Sequence, residues 1–171
     1  MIQEPAPGAA CSYATMWAPG AHQARLARPV QSAAADHLLQ TLRSRTQIPD
    51  GPASKAHARA LVAAAVSPSG QVGVDVEFFA PARPIQAIAQ WLMAATARDD
   101  LAAYRVFTFR EAYFKAFGDW PARGLLLEVA DADANLYVLD GDMQVLHERI
   151  SEDFLLTLVW RGAERAQRVS L

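Results

Sequence analysis

A single cysteine, Cys11, stands in the 171 residues, so no disulfide can form within the chain and a reducing compartment is expected. Long apolar runs are missing as well: nothing approaches the roughly 18 residues needed to span a bilayer, which argues against a membrane protein. The opening residues MIQEPAPGAA show neither a basic region nor an apolar core, so a secretory leader is not expected and the cytoplasm is. There is no excess of positive charge. A net charge of −2 speaks against general nucleic-acid binding, which leaves a basic stripe or surplus. Fixed-period repeats and low-complexity tracts are also lacking.

What is present is the composition of a folded protein, 52% hydrophobic and 20% charged, long enough to bury a core without staples. Charge is uneven along the chain. Residues 1–60 hold six Lys/Arg and three acids, and residues 61–171 hold ten and fifteen. Such a division suits a polyanion held against a metal, and ordinary surface scatter accounts for it equally well.

The hydrophobic pattern is mixed. Residues 1–10 are rich in Pro, Ala and Gly and read as a loose segment, with a strand following near 12–18. Leu38, Leu39 and Leu42 stand at helical spacing behind Asp36, a suitable N-cap. Residues 48–54 read as a loop, and the apolar runs 60–66 and 71–78 flank SPSG as a hairpin would. A helix is expected over 85–93, a turn or short helix over 98–103, and a longer helix over 104–117 closed by Gly118. After Gly124 the period changes to two, and LLLEVA, NLYVLD, MQVLHERI and DFLLTLVW read as strands, with a last one over 168–171. The expectation is an α+β fold of two pseudo-symmetric lobes, each with helices packed on a small antiparallel sheet, the first abbreviated. The divisions are 1–10, an N-terminal lobe over 11–80 and a C-terminal lobe over 81–171.

Two segments carry chemistry. In VGVDVE the valines alternate with Gly73, Asp75 and Glu77, so both carboxylates leave the strand on one face. Two acids at that spacing repel unless they are solvated or share a cation, and oxygen-only ligands suit Mg²⁺ beside a phosphate. The competing reading is a strand that ends in a solvated polar face. In FTFREAYFKAFG, Glu111 and Lys115 lie one helical turn apart on a common face, with Arg110 roughly 100° around the axis. Alone, that pair is an ordinary surface ion pair. Its neighbours Tyr113, Phe114 and Phe117 make the helix strongly apolar, which favours charges lining a cleft.

Together GVDVE and FTFREAYFKAFG resemble the signature of the Sfp-type 4′-phosphopantetheinyl transferases. That signature is G-[VI]-D-[VI]-E and, further along, [WF]-[ST]-x-[KR]-E-[AS]-x-x-K-x-x-G. Gly73, Asp75, Glu77, Phe107, Thr108, Arg110, Glu111, Ala112, Lys115 and Gly118 fill every position. The resemblance covers about residues 56–127. Upstream, the family's S-H-S-G stretch is replaced by Ala56, His57, Ala58 and Arg59, which keeps only the histidine.

The resemblance implies transfer of 4′-phosphopantetheine from coenzyme A, the substrate, to a serine of an acyl or peptidyl carrier protein, with release of 3′,5′-ADP. It implies Mg²⁺, with Mn²⁺ as a substitute, bound by Asp75, Glu77 and Glu111. Glu111 and Lys115 are the implied catalytic residues. Arg110, Lys115 and His57 are the implied coenzyme A contacts, and Arg25 and Arg28 are candidates for its 3′-phosphate. Carrier docking falls to the 85–93 helix, with Trp91 and Met93 as anchors and Arg83, Arg98 or Arg105 at the rim; core packing is the other reading of Trp91 and Met93. A monomer is expected. Two other functions compete: a degenerate homologue that binds carrier or coenzyme A without catalysis, and a Mg²⁺-dependent phosphohydrolase.

Overall fold

Small residues alternating over two short runs, with two residues between them, begin the first sheet. In the computed structural model, which describes residues 10–18, 25–68, 70–93, 97–123, 128–131, 136–139 and 142–171, β2 (Ala53–Ala58) turns at Arg59–Ala60 into β3 (Leu61–Val66). On its other side β3 pairs antiparallel with β1 (Cys11–Trp17), which pairs parallel with β9 (Ala166–Arg168). The order is β2-β3-β1-β9. β3 reads LVAAAV because both of its faces are covered. Val62, Ala64 and Val66 pack under Leu38 and Leu42 of α1 (Arg28–Thr46). Leu61, Ala63 and Ala65 face the second sheet.

That second sheet has the order β4-β8-β7-β6-β5, all antiparallel, from β4 (Val72–Phe78), β8 (Phe154–Arg161), β7 (Met143–Ser151), β6 (Leu136–Leu139) and β5 (Glu128–Asp131). Val72, Val74, Val76, Leu156, Leu158 and Trp160 meet the first sheet in one apolar core. The opposite face carries α2 (Ile85–Met93) and α3 (Asp100–Phe117), packed through Ala89, Tyr104, Phe109 and Ala112. The fold is α+β, in two lobes that repeat one plan, helices outside and sheet inside. Among the described residues the first lobe is the lesser, with one helix and four strands against two helices and five strands.

Several expectations are corrected. α1 starts at Arg28, with Pro29 in its first turn and no side-chain cap, so Asp36 lies inside the helix, paired with Lys55. The hairpin joins β2 to β3, not β3 to β4. β2 was hidden because ASKAHA alternates without large apolar residues. β4 ends no first-lobe sheet; it is an edge of the second, and its Val74 amide donates to Ser54 Oγ of β2 at 3.0 Å. Residues 98–103 and 104–117 form one helix from 100 on, because Asp99 caps it by accepting from the Ala102 amide. The last strand leaves the C-terminal lobe altogether for the first sheet, as a parallel neighbour of β1. The expected loose segment and the DADA and DGD turns fall largely outside the described residues.

Candidate active site

Gly73 decides how the two motifs meet. A Cβ there would stand 1.9 Å from the Ala112 carbonyl oxygen and 2.8 Å from the Ala116 nitrogen, so the backbone of α3 lies directly on β4. Asp75 and Glu77 follow on the same strand face. They therefore look at the side of α3 that presents Glu111 and Lys115, and Asp75, at 7% exposed, is no part of a solvated face, while Glu77 is partly buried.

Lys115 ties the motifs together. Its Nζ donates to Asp75 Oδ1 at 2.8 Å and to the Val74 carbonyl at 3.1 Å. The other carboxylate oxygen, Asp75 Oδ2, is buried without a hydrogen-bond partner. Burial pushes the Asp75 carboxyl up to about 7 against the opposing pull of Lys115, and the charges of Glu77 and Glu111 add to the rise. Glu77 is also raised by burial, although Arg83 Nη1 donates to it at 2.7 Å and counteracts the shift. Three carboxylates thus feel one another across the β4–α3 seam.

From Glu77 the seam opens into a cleft of about 520 Å³, walled by α1's first turn, the β2–β3 turn and the residues after β4. Among the described residues Arg25, Arg28 and His57 line it together with Arg59, Arg83 and one carboxylate, Glu77. Partial desolvation holds the His57 imidazole below its usual pKa, and the charges of Lys115, Arg28 and Lys55 act the same way. The described lining of the cleft is cationic, and Glu77 marks the end that adjoins Asp75 and Glu111.

The structure thus brings Asp75, Glu77, Glu111 and Lys115 to one seam, and Arg25, Arg28 and His57 to the cleft that runs from it. Arg110 goes elsewhere: its guanidinium lies 3.8 Å over the Trp120 ring, which in turn stacks on Phe114. Arg83 is a cleft residue bound to Glu77 and stacked over Phe107, not a docking rim. Trp91 is 75% exposed, whereas Met93 is in the core beside Phe109 and Val145 and can anchor no partner. Arg98 is exposed and pairs with Asp99. Sequence reasoning missed Arg59, Gln31 and Phe78 as cleft residues, because they meet only once α1 crosses the first sheet. The two-residue gap between alternating runs at Arg59–Ala60 was the available signal.

Among the described residues no three His, Cys, Asp or Glu side chains stand gathered as a ready metal cage. Asp75 Oδ1 is turned to Lys115 and Glu77 to Arg83. The desolvated, unbonded Asp75 Oδ2 nevertheless suits a hard divalent cation, and Glu77 and Glu111 are the oxygen donors beside it. Compared with known proteins, the chain matches no family model and no curated protein at a significant level.

Proposed function

We propose that this chain is an Sfp-type 4′-phosphopantetheinyl transferase, a cytoplasmic, monomeric enzyme that moves phosphopantetheine from coenzyme A to a carrier-protein serine. One observation carries the reading: Glu77 of the carboxylate seam lines the same cleft as Arg25, Arg28 and His57. A substrate with several phosphates, laid along the cations, would place a phosphate at the carboxylate end.

Asp75, Glu77 and Glu111 are the residues that would hold Mg²⁺ or Mn²⁺, for which Glu77 would have to give up its bond to Arg83. When bound, that ion supplies positive charge against the pyrophosphate oxygens. The serine oxygen attacks the phosphorus that bears the pantetheine arm, the pyrophosphate P–O bond breaks, and 3′,5′-ADP departs. Glu111 takes the serine proton, since it is the carboxylate of the three with neither Lys115 nor Arg83 bonded to it in the structure. Lys115 has three N–H donors, two of them committed to Asp75 and Val74, and the third serves the departing phosphate. Arg25, Arg28 and His57 hold the remaining phosphates. Arg110, stacked on Trp120, is assigned no phosphate. The carrier docks over α2, where Trp91 is the exposed anchor.

Incubation with apo carrier protein, coenzyme A and Mg²⁺, followed by mass measurement of the carrier, tests this. The expected result is a gain of one phosphopantetheine group, lost with Glu111→Ala. No gain across acyl and peptidyl carriers, with coenzyme A still bound, would favour a binding-only protein.

A further inference from the structure

The turn between β2 and β3 holds a residue in a conformation that its type resists. Ala58 pairs with Leu61, so Arg59 and Ala60 form a two-residue hairpin loop. Arg59 has φ 56, in the left-handed region, at the first loop position, where glycine is the usual occupant. Among the described non-glycine residues only Gln47, which ends α1, shares a positive φ. A surface hairpin would form more readily with glycine here.

The arginine is secured from two sides. Its carbonyl oxygen accepts from Gln31 Nε2 of α1 at 2.6 Å, and Gln31 is itself buried. Its guanidinium lies 4.6 Å over the Phe78 ring at the end of β4. Gln31, Phe78 and Arg59 all line the cationic cleft, so α1 holds the strained backbone of the turn by its carbonyl while Phe78 of β4 supports the guanidinium at the cleft wall. Among the described residues four arginines and one carboxylate line the cleft, a wall suited to a ligand with more than one negative charge.

We propose that Arg59 is a phosphate-binding residue of this cleft, and that its strained turn is retained because it fixes the guanidinium against a polyphosphate ligand. The identity of that ligand as coenzyme A rests on the transferase reading; recognition of the anion does not.

Replacement by glycine separates fold from binding. Arg59→Gly relieves the turn and removes the guanidinium, so the thermal midpoint rises by roughly 2–4 °C while affinity falls. In titration calorimetry at low ionic strength, with inorganic pyrophosphate and separately with coenzyme A, the dissociation constant rises about tenfold for Arg59→Gly. Arg59→Lys, which keeps the charge without the planar fork, recovers part of the loss. Arg45→Ala, at the far end of α1, leaves binding unchanged. The proposal is overturned if the wild-type chain does not bind pyrophosphate, if Arg59→Gly binds it as tightly as wild type, or if Arg59→Gly is no more stable. A carrier that gains no mass while these binding differences persist sinks the transferase reading alone.

Discussion

Asp75 is an expensive residue for this fold. It carries a carboxylate into a place where burial opposes its charge, and only one of its oxygens is satisfied, by Lys115. A buried acceptor left without a partner costs about 1–3 kcal/mol, so a site chosen for packing alone would not contain it. With Glu77 and Glu111 it is suited to a divalent ion. Mg²⁺ added to the coenzyme A-bound protein is therefore expected to raise the thermal midpoint of wild type further and to add nothing to that of Asp75→Asn, as scanning fluorimetry would show. Gly73 makes the opposite kind of demand, since nothing larger fits beneath the Ala112 carbonyl. Gly73→Ala must push α3 off β4 and is expected to cost about 1–3 kcal/mol in urea unfolding, together with a fall in transfer activity. Asp75, Glu77, Glu111 and Lys115 were legible in the sequence because alternation on a strand and i, i+4 spacing on a helix assign faces without tertiary knowledge. Arg59 was not, since a positive φ has no marker in an arginine.

At the scale of the element, α3 is held in rotation by a buried polar chain as well as by its caps. Thr108 Oγ1 donates to the Tyr104 carbonyl at 2.9 Å, so in the 2.6 Å pair with Thr157 Oγ1 the donor is Thr157. His147 Nδ1, 2.8 Å from Thr157 Oγ1, must then carry a proton, which fixes the neutral tautomer. Thr157→Val breaks the chain at its middle, leaving the His147 Nδ1–H without its acceptor while Thr108 keeps its bond to the Tyr104 carbonyl, and an unfolding titration should show a loss of about 1–3 kcal/mol. Burial, aided by Arg105, lowers the His147 pKa to about 3 from an ordinary 6.5. Below pH 6.5 the unfolded chain therefore takes up a proton that the folded chain refuses, and stability from this group declines steadily toward pH 3. The measurement is the slope of unfolding free energy between pH 6.5 and 5, which His147→Gln should make flatter than wild type. The 85–93 helix was read with its observed bounds, because its apolar stripe and Pro84 define it locally. β2 escaped, since Ala, Ser and His alternate too weakly in hydropathy to mark a face.

The whole molecule is a layered arrangement, α1 outside the first sheet, α2 and α3 outside the second, with the sheets face to face. Besides that apolar core, polar groups clamp the sheets. Glu148 of β7 accepts from Tyr13 of β1 at 2.8 Å and pairs with Arg168 of β9, whose Nη2 reaches Thr15 Oγ1 at 3.0 Å. Tyr13→Phe removes the hydroxyl from a buried position and is expected to destabilise the chain by about 1 kcal/mol in denaturant unfolding. The consequence for function is geometric. The cleft is built from α1, the β2–β3 turn and the residues after β4, so anything that loosens one sheet from the other moves Arg28 and His57 away from Glu77.

By itself the sequence determined the class of fold, the α2 helix, the strands of the second sheet and the four residues of the carboxylate seam. These follow from short-range periodicity, in which neighbours two positions away on a strand, or three or four on a helix, set a residue's face. Only the tertiary structure decided that β4 joins the second sheet, that β9 returns to the first, and that α1 carries Arg28 and Gln31 to the arginine turn. Those outcomes depend on which surfaces bury one another across the chain, and strand pairing between distant segments leaves no periodic trace in either segment alone.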